Sequence, residues 1–112
     1  MVIYHITEKT HWEKALATGE YRAPSLEKAG FIHCSLKTQL IRVANTIFRG
    51  RRDLVLLCIE EDRLGVPVRY ENLEGGSELF PHIYGPLPLE AVREVLPFEP
   101  DENGFFKFPE ET

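Results

Sequence analysis

Apolar and polar positions alternate from the first residues onward. In VIYHIT, Val2, Tyr4 and Ile6 share one side of an extended segment, and Ile3, His5 and Thr7 share the other. The next residues, THWE, carry a capping-box pattern with Thr10 at the cap and Glu13 three positions on; it opens a helix through Trp12, Ala15 and Leu16 that Gly19 can close. YRAP reads as a brief extended piece and SLEKAG as a turn or a single helical turn. GFIHCS is a short strand, and the spacing of Leu36, Leu40, Val43, Ala44, Ile47 and Phe48 predicts an amphipathic helix, with Ser35 at its N-cap.

DLVLLCIEE is apolar without alternation, as expected of a strand covered on both faces near the middle of a sheet. VRYEN alternates again, with Val68 and Tyr70 on one side and Arg69 and Glu71 on the other. Residues 75–88 hold too many glycines and prolines for a helix or an inner strand and are expected to form a shaped loop. Phe80, His82 and Tyr84 share one side wherever that loop runs extended. EAVREVLPF reads as a final strand. The pattern predicts a single α+β domain over residues 1–98, with short strands in one sheet and two main helices, followed by an acidic tail over 99–112 that Phe105, Phe106 and Phe108 can pin to the body.

At 112 residues and 43% hydrophobic content the chain can bury a core without metal or disulfide staples. Cys34 and Cys58 lie in apolar strand-like runs, which fits buried thiols in a reducing compartment, and the longest apolar run is far below a membrane span. A cytoplasmic protein is expected, without a membrane role. The tail holds five acids and one lysine, so it accounts for four of the five net negative charges. The near-neutral remainder lacks the field of a non-specific nucleic-acid binder. The local exception is FRGRRD, whose Arg49, Arg51 and Arg52 could fork onto a phosphate or simply be solvated.

The candidate chemistry lies in the histidines. A pair near neutrality can supply one base and one acid at the same pH, and an adjacent hydroxyl can donate to a substrate oxygen. His5 with Thr7 and His33 with Ser35 are two such half-sites. The repeated His-x-Thr/Ser pattern is similar to that of the two-histidine phosphoesterases, which work on cyclic phosphates. No local metal-ligand spacing joins His5, His33 and His82, so no metal is expected, and Cys34 has the wrong parity to pair with His33. His11 reads as surface.

Taken in order, YHIT, GFIHCS, VRYEN and ELFPHIYGPLPLEAV resemble a small bacterial family, domain of unknown function 952, over nearly all of residues 2–98. Its fold is grouped with the ADP-ribosyltransferase-like domains. The resemblance implies a split, bent mixed β-structure around a cleft that holds NAD in the active relatives. It also implies that His5 and Thr7 contact ribose or phosphate and that Glu71 orients a ribose hydroxyl, although Glu71 can equally be an exposed acid paired with Arg69. Ile6 replaces the glycine that relatives use for close backbone approach, and the histidine-rich cleft is nearer to the RNA 2′-phosphotransferase branch.

The expected site is therefore His5, His33 and Glu71 as catalytic groups, with Thr7, Ser35, His82 and Tyr84 binding a small nucleotide-like ligand, NAD among the possibilities. The alternatives are a two-histidine cyclic phosphoesterase and a binding module without turnover.

Overall fold

Leu54–Glu60 forms β4, and every residue in it except the last is buried. Two layers cover it. Val55, Leu57 and Ile59 face one hydrophobic cluster, which includes Ile3, Ala15, Tyr21, Ile32, Ile83 and Leu87. Leu54, Leu56 and Cys58 face a second, with Tyr4, Ile6, Leu40, Ala44, Phe98 and Phe106. Burial of each large apolar side chain contributes about 1.5–3 kcal/mol, so this central strand is the main anchor of the fold. These features come from a computed structural model that describes residues 1–73 and 75–109.

β1 (Val2–Glu8) and β8 (Val92–Phe98) flank β4 in a three-stranded sheet of order β1-β4-β8. A second sheet joins β3 (Ile32–His33), β6 (Phe80–Ile83) and β5 (Val68–Glu71) in the order β3-β6-β5, and β2 (Glu20–Tyr21) pairs with β7 (Leu87–Pro88). Three helices complete the fold: α1 (Lys9–Thr18), α2 (Pro24–Ala29) and α3 (Lys37–Ile47). Among the described residues every strand pairing is antiparallel, so the expected single mixed sheet is corrected to three antiparallel ones. Among the described residues one backbone bridge joins the two larger sheets, in which Tyr4 and Ser35 exchange hydrogen bonds of 2.9 and 2.8 Å. A cleft can open on either side of so narrow a joint.

Three local expectations are also corrected. β1 continues to Glu8, whose partner is Leu54, and Lys9 N–H donates to the Asp53 carbonyl at 2.7 Å. Helix α1 therefore starts directly from the strand, and Thr10 lies inside its first turn rather than at its cap. Ser35 does not cap α3, because its backbone is committed to Tyr4; Leu36 occupies the cap position, and its N–H donates to Gln39 Oε1 at 2.9 Å.

The third correction concerns the proline-rich segment, which supplies the inner strand β6. Pro81 is tolerated there because its carbonyl accepts from Cys34 N–H at 2.9 Å, just beyond the end of the two-residue β3. Its missing N–H thus falls where the ladder has already ended. Gly19 closes α1 as expected, at φ 95°, with its N–H on the Ala15 carbonyl.

The tail folds back onto the body. Phe106 stacks on Phe98 with ring centroids 4.7 Å apart, Phe108 meets Tyr4 edge-on at 5.4 Å, and Asn45 Oδ1 accepts from Phe106 N–H at 2.6 Å. No helix among the described residues is long and apolar enough to cross a membrane.

Candidate functional site

The strand parity of β1 sends His5 and Thr7 to the same side, and Tyr21 from β2 reaches between them. Tyr21 Oη lies 2.8 Å from His5 Nε2 and 2.7 Å from Thr7 Oγ1, while His5 Nδ1 donates to the His33 carbonyl at 2.7 Å. His5 is 8% exposed, and burial above all pushes its pKa down to about 4, against the upward pull of the His33 carbonyl. It is therefore neutral near pH 7. With its proton on Nδ1, Nε2 must accept from the Tyr21 hydroxyl, which in turn accepts from Thr7. Tyr21 was not among the sequence candidates. The available signal was general: a tyrosine in a short extended piece buries its ring only if its hydroxyl finds a partner.

His33 lies on the other side of its strand from the core residues Ile32 and Cys34. Pairing places it beside His82, itself beside Arg69, and two residues on, on the same face, Phe80 pairs with Glu71. His33 meets His82 and Phe80 with ring centroids 5.0 and 5.5 Å apart. The shared side expected of Phe80, His82 and Tyr84 is observed, and Phe31 covers it, stacked on His82 at 4.1 Å and tilted against Tyr84 at 5.4 Å.

Glu71 belongs to the same surface. Its Oε1 accepts from His82 Nδ1 at 2.9 Å and from the Tyr84 hydroxyl, and these two bonds hold its carboxyl below the usual carboxylate range. Arg69 lies over the Tyr84 ring at 4.8 Å, so the plain Glu71–Arg69 surface pair is replaced by a network.

Two cavities run along this region. The first, about 230 Å³, is bounded by β1 at Tyr4, His5 and Ile6, by His33 and Ser35, by α3 at Val43 and Ile47, and by Phe48 just past the helix. Since Tyr4 turns its N–H and C=O toward Ser35, the antiparallel alternation turns those of Ile6 to the same open edge. Ser35 is 3% exposed, and its hydroxyl has no hydrogen-bond partner among the described residues. No fully enclosed side-chain oxygen there lacks a partner, so this hydroxyl opens onto the cavity it lines. The second compartment, about 410 Å³, shares His33, Val43 and Ile47 and adds Arg42, Thr46, Ser77 and Glu78.

His5, His33 and Ser35 thus line one cleft, whereas Glu71, His82 and Tyr84 sit behind His33 as a linked group. The two candidate imidazoles are not an exchanging pair: the His33 carbonyl, not its ring, holds His5, and both nitrogens of His5 are engaged inside the protein. The proton exchange that the phosphoesterase pattern implies for His5 finds no free nitrogen on its ring. His5 becomes a buried clasp between β1, β2 and β3.

The FRGRRD arginines are also occupied. Arg51 forks onto Asp53 at 2.6 and 3.2 Å, Arg49 lies over Phe105 at 3.9 Å, and Arg52 reaches the Asp101 carbonyl at 3.3 Å.

Cys34 and Cys58 are thiols outside any disulfide, 1% and 2% exposed, and burial pushes the Cys34 pKa up. Neither is placed as a nucleophile. In native protein both are expected to resist a thiol reagent and to react fully after unfolding; rapid native labelling of Cys34 would contradict this packing.

The architecture is that of a small single-domain α+β protein with three helices and antiparallel sheets around a histidine-bearing cleft. Residues 6–95 match the family described as protein of unknown function (DUF952), and the chain belongs to that family. It is similar to protein CC0527 from Caulobacter crescentus, whose crystal structure is 33% identical with a TM-score of 0.85, covering 96% of this chain and 94% of the other. The crystal structure of a double mutant of that protein is 32% identical with a TM-score of 0.85 over the same shares. Its solution NMR structure is 34% identical with a TM-score of 0.81, over 93% and 90% of the two chains. No curated protein matches the chain.

Proposed function

We propose that the cleft binds a nucleotide, NAD or another phosphorylated nucleotide, in an ADP-ribosyltransferase-like arrangement, and that ADP-ribosyl or phosphoryl transfer is its chemistry. The observation that carries this reading is the 230 Å³ cavity, where the open backbone edge at Ile6 and the unpaired Ser35 hydroxyl face a mostly apolar wall. A flat heteroaromatic ring with an amide edge satisfies both surfaces. The adjoining 410 Å³ compartment has room for the sugar and phosphates, and a cleft of this combined size falls within the range of roughly 300–1,000 Å³ typical of ligand sites.

Arg42 lines that compartment. Its ion pair with Glu78 is solvent-exposed and contributes roughly 0–1 kcal/mol, so a phosphate can take the guanidinium from the carboxylate at little cost. The two-histidine phosphoesterase reading fits less well, because it needs two imidazoles free to exchange protons and His5 is not free.

Backbone amide NMR with NAD, ADP-ribose and a 2′,3′-cyclic nucleotide tests the proposal. NAD or ADP-ribose is expected to move the Ile6 amide, and Ser35→Val to weaken binding about tenfold, the loss of one buried hydrogen bond. If none of the three moves that amide, the nucleotide reading fails. Saturable binding without turnover would favour the binding module.

A further inference from the structure

Behind His33 lies a third cavity, of about 50 Å³, bounded by Phe31, His33, Glu71, Asn72, Phe80 and His82. A space of this size has room for a water molecule or a hydroxyl group. It adjoins the main cleft, since His33, Asn72 and Phe80 also line the 410 Å³ compartment.

One wall is an oriented imidazole. His82 is 3% exposed, and its Nδ1 lies 2.9 Å from Glu71 Oε1. Glu71 also accepts from Tyr84, and the two bonds favour its ionised form. An ionised carboxylate only accepts, so His82 Nδ1 carries a proton, and in the neutral ring the lone pair is on Nε2. Phe31 fixes the ring plane by stacking at 4.1 Å and 15°. Nε2 makes no hydrogen bond among the described residues, and no fully enclosed side-chain nitrogen there is unpartnered, so Nε2 opens onto the cavity His82 lines.

We propose that this cavity is the acceptor site of the reaction: His82 Nε2 takes the proton of a water or hydroxyl lodged there as that oxygen attacks the ligand in the main cleft. The inference rests on the nucleotide reading and deepens it. With NAD, the acceptor oxygen forms a bond to the anomeric carbon, the glycosidic C–N bond breaks, and its electron pair leaves with neutral nicotinamide. The hydroxyl proton ends on His82. Glu71, Tyr84 and Phe31 are positioning residues, and His82 replaces His5 as the imidazole in contact with reacting atoms.

Long-range ¹H–¹⁵N imidazole spectra of the full chain read the arrangement directly. Without ligand, His82 is expected as the Nδ1–H tautomer. Glu71→Leu is expected to mix its tautomers while leaving His5 unchanged, and Glu71→Gln, whose carbonyl still accepts, to restore the bias. A merely structural Glu71 would not move this signature selectively, and an Nε2–H tautomer in the wild type overturns the proposal.

NAD is then added. Movement of both His82 Nε2 and the Ile6 amide, with nicotinamide release that falls at least a hundredfold in His82→Gln at unchanged Kd, supports the acceptor site. Movement of Ile6 alone, or binding without release, overturns the acceptor site and leaves the nucleotide reading intact. Movement of His82 alone overturns both, because the ligand then lies away from the cleft in which the acceptor oxygen would attack it. Movement of neither overturns both.

Discussion

Between pH 7 and pH 5 the protein is expected to lose about 2 kcal/mol of stability that a His5→Asn variant does not lose. The buried imidazole has a pKa near 4 in the folded state against an ordinary value of 6.5, chiefly because burial disfavours its charged form. In that window the unfolded chain binds a proton that the native state refuses, so stability rises with pH. The contribution is complete above 6.5 and disappears as the pH falls through about 4. The full gap corresponds to about 3 kcal/mol.

The hydrogen bonds show why the folded state resists protonation. An added proton on Nε2 forces Tyr21 to stop donating to His5 and to turn toward Thr7. Asp53, Glu71 and Asp101 have carboxyls held low by their own partners, so their losses set in as the pH falls through the ordinary carboxylate value, below the histidine window. Urea unfolding of both proteins at pH 7, 6 and 5 provides the check. Truncation to asparagine adds a constant offset, whereas the histidine adds a slope, and a wild-type-to-variant difference that does not change with pH would refute the account.

Phe106→Ala is expected to cost about 3–5 kcal/mol. Phe106 is 2% exposed, in the cluster with Leu54, Leu56 and Phe98, and its backbone is held by Asn45 on α3. Its ring covers the end of the central sheet, and truncation leaves a void between strand and helix that neither can close. Chemical denaturation should show the midpoint lowered with an unchanged slope. A cost below about 1 kcal/mol would mean that residues 99–109 are an appendage rather than part of the cooperative unit.

Much of this arrangement follows from local patterns. The unbroken apolar run of β4 signalled a strand covered on both faces, and the alternation in VIYHIT and VRYEN assigned His5, Thr7, Arg69 and Glu71 to the correct sides. Phe80, His82 and Tyr84 were legible as a shared side even within a segment read as loop. Pro81 disguised β6, because a proline counts against an inner strand unless its neighbour happens to end one residue earlier.

The expectation that His5 and His33 would act together foundered on a partner outside both motifs. Nothing near Tyr21 in the chain marks it as the group that occupies His5. The cap position of Ser35 is a local inference, whereas its backbone is claimed by Tyr4, distant in the chain. The arginine cluster looked available for the same reason: its carboxylate, carbonyl and ring partners are set by folding.

The sequence by itself determined most of the longer elements, the faces of His5, Thr7, Arg69 and Glu71, the central place of β4 and membership of the family. Only the tertiary structure decided which faces meet: that His5 is enclosed by Tyr21 while Ser35 stays open, and that Glu71 acts on His82. Facing is a property of alternate residues along one strand and needs no partner. Adjacency is chosen by the burial of apolar surface across the whole chain, and that choice assigns each polar group its hydrogen-bond partner or leaves it for a ligand.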